Sequence, residues 1–547
     1  MTSWNLLSVE RPLRAPGPAS GAPSGAGESS APAHLPHQVA SCGRVIAFGL
    51  LLFFLHVFCM LYRYGHRPPA PVIGDEVTIN DPAIALSRGQ GLVAPSFKDS
   101  VFGFDKLYAH FPPVYAYVES LAFRTMGVSS YSLRLTTTLT DILAAAVFML
   151  FLYWLWRRGL VDIGTAAFAA MFYTLNASVI ALHRIARMEP LVELSSLIAL
   201  WCALAAIESM WSRGAHHSVA FSVAACMASG IAFVTHPEAL TAVLPVLLLV
   251  GMRRGVTWPG RLLYLCIFVA TPAAVWVAAY GSRSIEALQE MWRVVRFTPG
   301  PGVFSFAHQF TREDHRNIGQ GMRGSLFVLC LALLVAVVVQ WWRLESRGRA
   351  GLASETDEIR LSVTRAFALA TAISLVLLIW FVGASISRYE VMYPVWLLGL
   401  ALALRGISWS RPTRIIAGLA AAIIGAEIVA AAGYLWRPEA SPVDLDPHRF
   451  DAILAQIPRG DSVAATPMLW LAFEQQNRPF TLLYWRYDGR EKWKQENGGD
   501  PLKQFDAVVV DESFIDDYRD DVPYASQGRR EYRYVVGSDV VHLFLPR

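Results

Sequence analysis

Charged residues are scarce in this chain: Asp, Glu, Lys and Arg make up 16% of its 547 residues, whereas 54% are hydrophobic. A balance this apolar excludes a soluble globular protein of this size and predicts a polytopic membrane protein. Cysteine is scarce too, with six residues and none after Cys330. Structural disulfides and a cysteine-ligated metal are therefore not expected in the polar C-terminal part.

Several motifs are also missing. The C-terminal part has no Gly-rich phosphate loop and no metal-ligand spacing, and the chain shows no repeat of the solenoid type. No small-residue cleavage site follows the first apolar run in a polar context, so a cleaved signal peptide is not expected. The net charge of +4 gives no reason to expect a nucleic-acid partner.

Long hydrophobic stretches are abundant. About eleven could cross a hydrocarbon core of about 30 Å as helices, and the sixth and tenth of them are short. They cover residues 45–62, 139–156, 163–182, 191–210, 219–234, 239–251, 262–280, 326–342, 361–382, 389–404 and 415–435. The predicted fold is therefore a polytopic α-helical membrane protein.

Arginines concentrate at every second junction between these spans, for example at Arg157, Arg253 and Arg405. The positive-inside rule makes these junctions cytoplasmic. With the N-terminus also inside, the odd number of spans puts the C-terminus outside. We therefore expect a multi-pass protein of the inner (plasma) membrane with a cytoplasmic N-terminus and an extracytoplasmic C-terminal part.

Composition divides the chain into three parts. Residues 1–43 are rich in Pro, Gly, Ala and Ser, which indicates a disordered cytoplasmic leader. Residues 44–436 form the transmembrane domain, whose first outer loop, 65–126, contains a predicted interfacial helix at 111–126. Residues 437–547 carry five short strand-like runs and one helix-like run, typical of a small extracytoplasmic α/β domain.

The pair Asp75-Glu76 lies in the polar stretch 65–110, directly after the first span. Two adjacent carboxylates beside lipid indicate proton or phosphate chemistry at a bilayer surface. Exposed acidic pairs are often merely solvated, so the interpretation depends on what else occupies the same side.

Short motifs in a fixed order accompany this pair: His110-Phe111-Pro112-Pro113, Ser132-Leu133-Arg134, Arg187-Met188-Glu189-Pro190, Thr235-His236-Pro237 and Ser387-Arg388-Tyr389. In this order and on one side, they resemble the dolichyl-phosphate-mannose protein mannosyltransferase superfamily. The resemblance is closer to its bacterial branch, which includes the lipid A aminoarabinose transferases. All of these have the GT-C membrane fold, and the similarity covers roughly residues 45–404.

The resemblance implies an inverting glycosyltransferase, hexosyl or pentosyl, that moves a sugar from a polyprenyl-phosphate donor to a lipid, polysaccharide or protein acceptor on the outer face. Asp75 is then the general base for the acceptor hydroxyl. Glu76 either orients Asp75 or binds the acceptor. His110 is a substrate-binding candidate on its family position.

The remaining candidates have two interpretations each. In one interpretation, Glu189 contacts the sugar or Arg187 lies at the site entrance. In the other, the two residues form a local ion pair that anchors the helix end. The family usually has Asp in place of Glu189. His236 binds phosphate or a metal, or caps a turn. Arg388, next to Tyr389, binds the lipid phosphate bidentately or reaches lipid headgroups.

Two other classes remain open. Intramembrane carboxylates such as Asp141 and Glu193 also mark the ion pathways of secondary transporters and lipid flippases, although no paired repeats support that alternative. A nonenzymatic scaffold would leave the polar residues without a common purpose. Carboxylates and histidines make a divalent metal possible, but no spacing requires a metal or any other cofactor.

Overall fold

The computed structural model describes residues 35–62, 74–98, 103–212, 215–253, 256–297, 339–340, 342–346, 355–377, 392–404, isolated positions between 422 and 435, 447–483, 502, 504–512, 526, 528–536 and 539–547. Residues 1–34 of the predicted leader, most of the predicted eighth and eleventh spans, and the candidates Arg388 and Tyr389 lie outside the described residues. Residues 35–43, predicted as the end of the disordered leader, are instead helical, because the helix of the first span, Leu35–Leu61, extends back over them.

Helices dominate the described chain. In order they are α1 (Leu35–Leu61), α2 (Gly74–Ser87), α3 (Val114–Met126), α4 (Ser130–Arg157), α5 (Ile163–Thr174), α6 (Ala177–Leu182), α7 (Glu189–Ser212), α8 (Ala215–Thr235), α9 (Ala239–Gly251), α10 (Trp258–Tyr280), α11 (Ser284–Phe297), α12 (Glu355–Leu377) and α13 (Tyr393–Leu404).

Within the described residues, six helical stretches are long and apolar enough to cross a membrane: Gly43–Leu61, Ser130–Arg157, Ile163–Leu182, Glu189–Ser209, His216–Thr235 and Trp258–Arg293. Two shorter apolar helices, Ala239–Gly251 and Tyr393–Leu402, coincide with the predicted sixth and tenth spans. The helical membrane fold is thus as predicted, whereas the count of eleven spans stays a prediction.

Local sequence explains where α4 begins. Ser129 is its N-cap: the Ser129 hydroxyl accepts from the Ser132 N–H, and the Ser132 hydroxyl accepts from the Ser129 N–H, which is a capping box. Gly127, just before it, ends α3 with φ +74°, a conformation that favours glycine.

The third span is interrupted. Helix α5 ends at Thr174, α6 begins at Ala177, and the segment 183–188 is not helical. The carbonyls released by the break find side-chain donors: the Tyr393 hydroxyl donates to Phe172 O at 2.8 Å, and His56 Nδ1 lies 3.2 Å from Thr174 O. Such breaks are tolerated at membrane depth only when protein or water satisfies the backbone.

The C-terminal part contains a five-stranded mixed sheet. Strands β1 (Val463–Ala465), β2 (Thr481–Leu482) and β3 (Ala507–Asp511) run parallel, and β5 (Asp539–Pro546) pairs antiparallel with both β3 and β4 (Arg529–Val536), in the order β2-β1-β3-β5-β4. Two short helices, α14 (Asp451–Leu454) and α15 (Trp470–Gln475), accompany the sheet. The five strands overlap the five strand-like runs of the sequence.

One expectation is wrong. Residues 74–87 are not a polar loop but helix α2, and every residue from Glu76 to Leu86 is buried. The physical reason is that α2 lies between two partners. The helical bundle covers one part of its surface, and the C-terminal unit, meaning the described residues from 447 onward, covers another through a shared apolar core.

Candidate active site

Five of the predicted site residues lie at one end of the helical bundle. Glu76 in α2, His110 before α3, the pair Arg187 and Glu189 before and at the start of α7, and His236 after α8 occupy this end. Arg158, at the first arginine-bearing junction, lies at the other end, where it pairs with Glu208.

Glu76 is fully buried, and both of its carboxylate oxygens accept hydrogen bonds. Arg134 of α4 donates from Nε to Oε1 and from Nη2 to Oε2, both at 3.3 Å, and the Ala186 N–H donates to Oε1 at 2.8 Å. Asn80, one turn along α2, donates to Ala186 O at 3.1 Å. These contacts fix the start of α2 to the bundle, so of the two predicted roles they favour orienting Asp75 over binding the acceptor.

Asp75 lies in the first turn of α2, immediately before Glu76. Its side chain is outside the described part of the structure, so its role as general base stays a prediction. The buried ion pair of the next residue, Glu76, with Arg134 holds the backbone that carries Asp75.

Arg187 and Glu189 form the local ion pair that one interpretation expected. Arg187 Nε donates to Glu189 Oε1 at 2.8 Å. The other oxygen, Oε2, is buried and has no hydrogen-bond partner among the described residues. Glu189 therefore retains an acceptor for a substrate hydroxyl, and His236 lies near enough for the two charges to interact.

His110 and His236 flank one aromatic ring. The His110 and Phe111 ring centroids are 4.3 Å apart, and those of Phe111 and His236 are 6.1 Å apart. Burial, together with nearby His236, lowers the pKa of His110 to about 4, so this imidazole is neutral at neutral pH. His236 Nδ1 accepts from the Glu238 N–H at 3.2 Å, the turn-capping contact that the sequence allowed.

Three site residues have no predicted role in the sequence. The Tyr115 hydroxyl and the Thr137 hydroxyl are 2.9 Å apart, and Thr137 Oγ1 both donates to Arg187 O and accepts from the Arg187 N–H. Arg134 appears in the sequence only as part of a motif. A buried hydroxyl chain and a cross-chain ion pair leave no spacing signal, because their partners are 22 to 58 residues apart.

A second polar cluster lies deeper in the bundle and joins four fully buried titratable groups. Asp141 contacts His56 Nε2 at 2.8 Å and His183 Nδ1 at 2.5 Å, and His183 Nε2 lies 3.3 Å from Glu193. The pairing of Asp141 and Glu193 within the bundle, through His183, agrees with the cost of leaving a membrane-buried carboxylate alone. Tyr173 donates to Glu193 at 3.1 Å.

Among the residues that the structure describes, no group of three or more His, Cys, Asp or Glu side chains has the spacing of a metal site.

Comparisons with known proteins agree with this architecture. The family model of dolichyl-phosphate-mannose-protein mannosyltransferases matches residues 50–280. The crystal structure of ArnT from Cupriavidus metallidurans bound to undecaprenyl phosphate is similar, with a TM-score of 0.52, 14% identity, and coverage of 92% of this chain and 98% of that one. The oligosaccharyltransferase of Archaeoglobus fulgidus, in complex with Zn and sulfate, gives a TM-score of 0.50 at 13% identity, covering 90% of this chain and 72% of that one. No curated protein sequence matches.

At identities this low, the structural similarity shows the fold alone. The chain shares its fold with ArnT and with the Archaeoglobus oligosaccharyltransferase, in agreement with the GT-C fold that the motif resemblance implied. Residues 50–280, which hold every predicted site residue except Arg388 and Tyr389, resemble the protein mannosyltransferases.

A buried carboxyl on α3 gives a pH-dependent prediction. Burial raises the pKa of Glu119 to about 8, because the cost of desolvating the carboxylate exceeds the opposing effect of the nearby Thr136 and Tyr115 hydroxyls. The folded protein therefore holds this proton between the ordinary pKa of 4.5 and about 8, so stability falls as pH rises through that window. Glu119→Gln removes this titration. As pH rises from 6 to 9, we therefore expect its free energy of unfolding to gain at least about 1 kcal/mol relative to that of the wild type.

Thermal unfolding at both pH values measures this difference. Exposed Glu286 is the control, because Arg283 lowers its pKa and Glu286→Gln should show no such gain. An equal response of Glu119→Gln and wild type to pH would contradict the assignment.

Proposed function

We propose that this protein is an inverting glycosyltransferase that moves a sugar from a polyprenyl-phosphate donor to a hydroxyl of a lipid, glycan or protein acceptor. The observation that carries the proposal is the convergence of Glu76, His110, Arg187, Glu189 and His236 on one end of a bundle with the GT-C fold. We place this end, and the C-terminal unit, on the extracytoplasmic face of a bacterial inner membrane, with the N-terminus inside.

The proposed chemistry needs one base and one anion site. Asp75 takes the proton of the acceptor hydroxyl as its oxygen bonds to the anomeric carbon, and the bond from that carbon to the phosphate oxygen breaks on the opposite face. The products are an inverted glycoside, a polyprenyl phosphate and the proton on Asp75. Arg388, beside Tyr389, is the proposed ligand of the phosphate, whose growing charge a guanidinium stabilises bidentately.

The relatives support the donor class. ArnT from Cupriavidus metallidurans has been crystallised with bound undecaprenyl phosphate. The alternative of a transporter or flippase gains one observation, the buried cluster of Asp141, Glu193, His56 and His183, but these groups satisfy one another rather than line a described path. We therefore assign the cluster to holding the broken third span.

Two measurements test the function. A strain that lacks the protein should accumulate one polyprenyl-phosphate sugar in its lipid extract. The purified protein in nanodiscs should consume that lipid and yield a product whose anomeric configuration, read by NMR, is opposite to that of the donor. Movement of the lipid between leaflets of proteoliposomes without any glycoside product would instead support the flippase alternative.

Glu189 gives a prediction within this function. Glu189→Gln keeps an oxygen for Arg187 but removes the charge at the unoccupied position, where a hydrogen bond to a charged group is worth about 1.5 to 3 kcal/mol. We expect kcat/KM for the donor to fall by about tenfold or more. Glu208→Gln is the matched control, because Glu208 forms an Arg–Glu pair at the other end of the bundle and should leave the rate unchanged. Equal rates of the two variants would remove Glu189 from the substrate site.

A further inference from the structure

Helix α2 is held on two sides by different parts of the chain. Glu76 and Asn80 attach its first half to the bundle, as described above. Its second half contacts the C-terminal unit, which begins more than 360 residues later in the sequence. The helix that carries Asp75 is therefore placed jointly by the bundle and the C-terminal unit.

The contact with the C-terminal unit centres on Asp81. Trp470 of α15 donates from Nε1 to Asp81 Oδ1 at 2.9 Å, and the Ser96 N–H donates to Asp81 Oδ2 at 3.1 Å. Asp81 is 1% exposed and Trp470 is fully buried. Both oxygens of a buried carboxylate thus have donors, and one of the two donors is the tryptophan of the C-terminal unit.

A second contact lies two turns further along. Arg88 Nη1 lies 2.5 Å from Glu474 Oε2, and Arg88 Nη2 donates to Glu474 O. Trp470 and Glu474 are one turn apart in α15, so both contacts come from the same helix face. Between them, Ala83 and Leu86 of α2 lie in the same buried apolar core as residues of α15.

The Asp81 contact also falls where α2 is intrinsically weakest. Pro82 lies inside the helix and has no N–H to donate to Thr78 O. The Tyr108 hydroxyl replaces that donor, at 2.6 Å. Because the backbone alone does not stabilise this turn, contacts from outside decide its geometry.

We propose that Trp470 is a positioning residue of the active site: through its hydrogen bond to Asp81 it fixes the middle of α2 and thereby the placement of Asp75. The C-terminal unit then completes the catalytic site rather than only displaying an acceptor. This inference rests on the proposed function, since it concerns the base of that reaction.

Trp470→Phe tests it with little loss of buried ring area. The phenyl ring fills most of the indole volume but cannot donate, so Asp81 Oδ1 loses its donor. A misplaced base slows the chemical step more than it weakens donor binding. We expect kcat to fall by about tenfold with the KM for the donor within about twofold of wild type, and amide hydrogen exchange of the peptide 74–87 to rise.

Trp276→Phe is the matched control. Trp276 also donates its indole N–H, to Ser284 O at 3.0 Å, but this hydrogen bond joins α10 to α11 and not the C-terminal unit to α2. Its variant should keep the wild-type kcat and the wild-type exchange of 74–87.

Asp81→Asn is the second variant, in case Trp470→Phe folds poorly. Asparagine offers one acceptor oxygen and one amide donor, so it satisfies either the Trp470 or the Ser96 N–H but not both. It should reproduce the loss of kcat, and the double variant should lose little more than either single one.

The outcomes separate the inference from the function on which it rests. If the wild-type protein consumes no polyprenyl-phosphate sugar, the proposed function fails whatever the variants do. If the wild type is active and folded Trp470→Phe keeps its kcat, even with faster exchange in 74–87, then Trp470 has only a structural role and the inference is wrong.

Discussion

Asp75→Asn is expected to reduce turnover by at least about a hundredfold while donor binding survives, because positioned general bases contribute factors of about 10² to 10⁴. Asparagine keeps the size of the side chain but accepts no proton at neutral pH, so the acceptor hydroxyl must attack without losing its proton. The buried Glu76–Arg134 pair, which holds the backbone next to it, is unchanged in this variant.

Turnover with saturating acceptor, and donor affinity from the donor dependence of the rate, measure the two effects separately. Asp105→Asn is the control, since Asp105 is an acidic residue of the same stretch 65–110 and its loss should leave turnover near wild type. Near-normal turnover in Asp75→Asn would mean that another carboxylate is the base, and Glu189 would then be the first to test.

The sequence predicts the helical membrane class, and it indicates the long apolar helices and the strands that the structure describes, because each has a local signal. Apolar runs of about 20 residues and alternating runs of about five report burial directly. The third span shows the limit of such signals. Its sequence is largely apolar across 163–182, but the helix is interrupted at Asn176. The side chains that hydrogen-bond the released carbonyls, His56 and Tyr393, come from distant helices.

Helix α2 could not be predicted from its own residues. Thr78, Asn80, Asp81 and Pro82 interrupt any apolar period, so the segment has the composition of a loop. It is helical and buried because the bundle and the C-terminal unit supply partners for those polar groups: Ala186 O for Asn80, and Trp470 and Ser96 for Asp81. Such pairings over 100 to 400 residues are not visible in a single sequence.

The sequence proposes the acidic and histidine residues of the candidate site, but it does not indicate the residues that hold them in place. Glu189 and His236 are candidates because they lie in the motifs Arg187-Met188-Glu189-Pro190 and Thr235-His236-Pro237, which carry the family resemblance. Thr137 does not stand out, because Thr136, Thr138 and Thr140 surround it. Only the structure shows that Arg134 is the partner of Glu76.

That partnership gives the prediction with the largest effect on stability. Arg134→Met keeps most of the side-chain volume but leaves the Glu76 carboxylate fully buried, with the Ala186 N–H as its one remaining donor among the described residues. Removing one member of a buried ion pair costs about 3 to 5 kcal/mol, because the remaining charge has lost its compensation. We expect a matching fall in the free energy of unfolding, measured by thermal or denaturant unfolding in nanodiscs.

Two comparisons make the result specific. Arg283→Met removes the exposed partner of Glu286 and should lower the free energy of unfolding far less than Arg134→Met does, because surface ion pairs contribute little. The double variant Glu76→Gln with Arg134→Met removes both charges, so it should recover a large part of the loss, and a double-mutant cycle gives the coupling energy. If Arg134→Met were no more destabilising than Arg283→Met, the pair would not be what holds α2 to the bundle. Asp75 would then depend on the C-terminal unit and its Trp470 contact for its position.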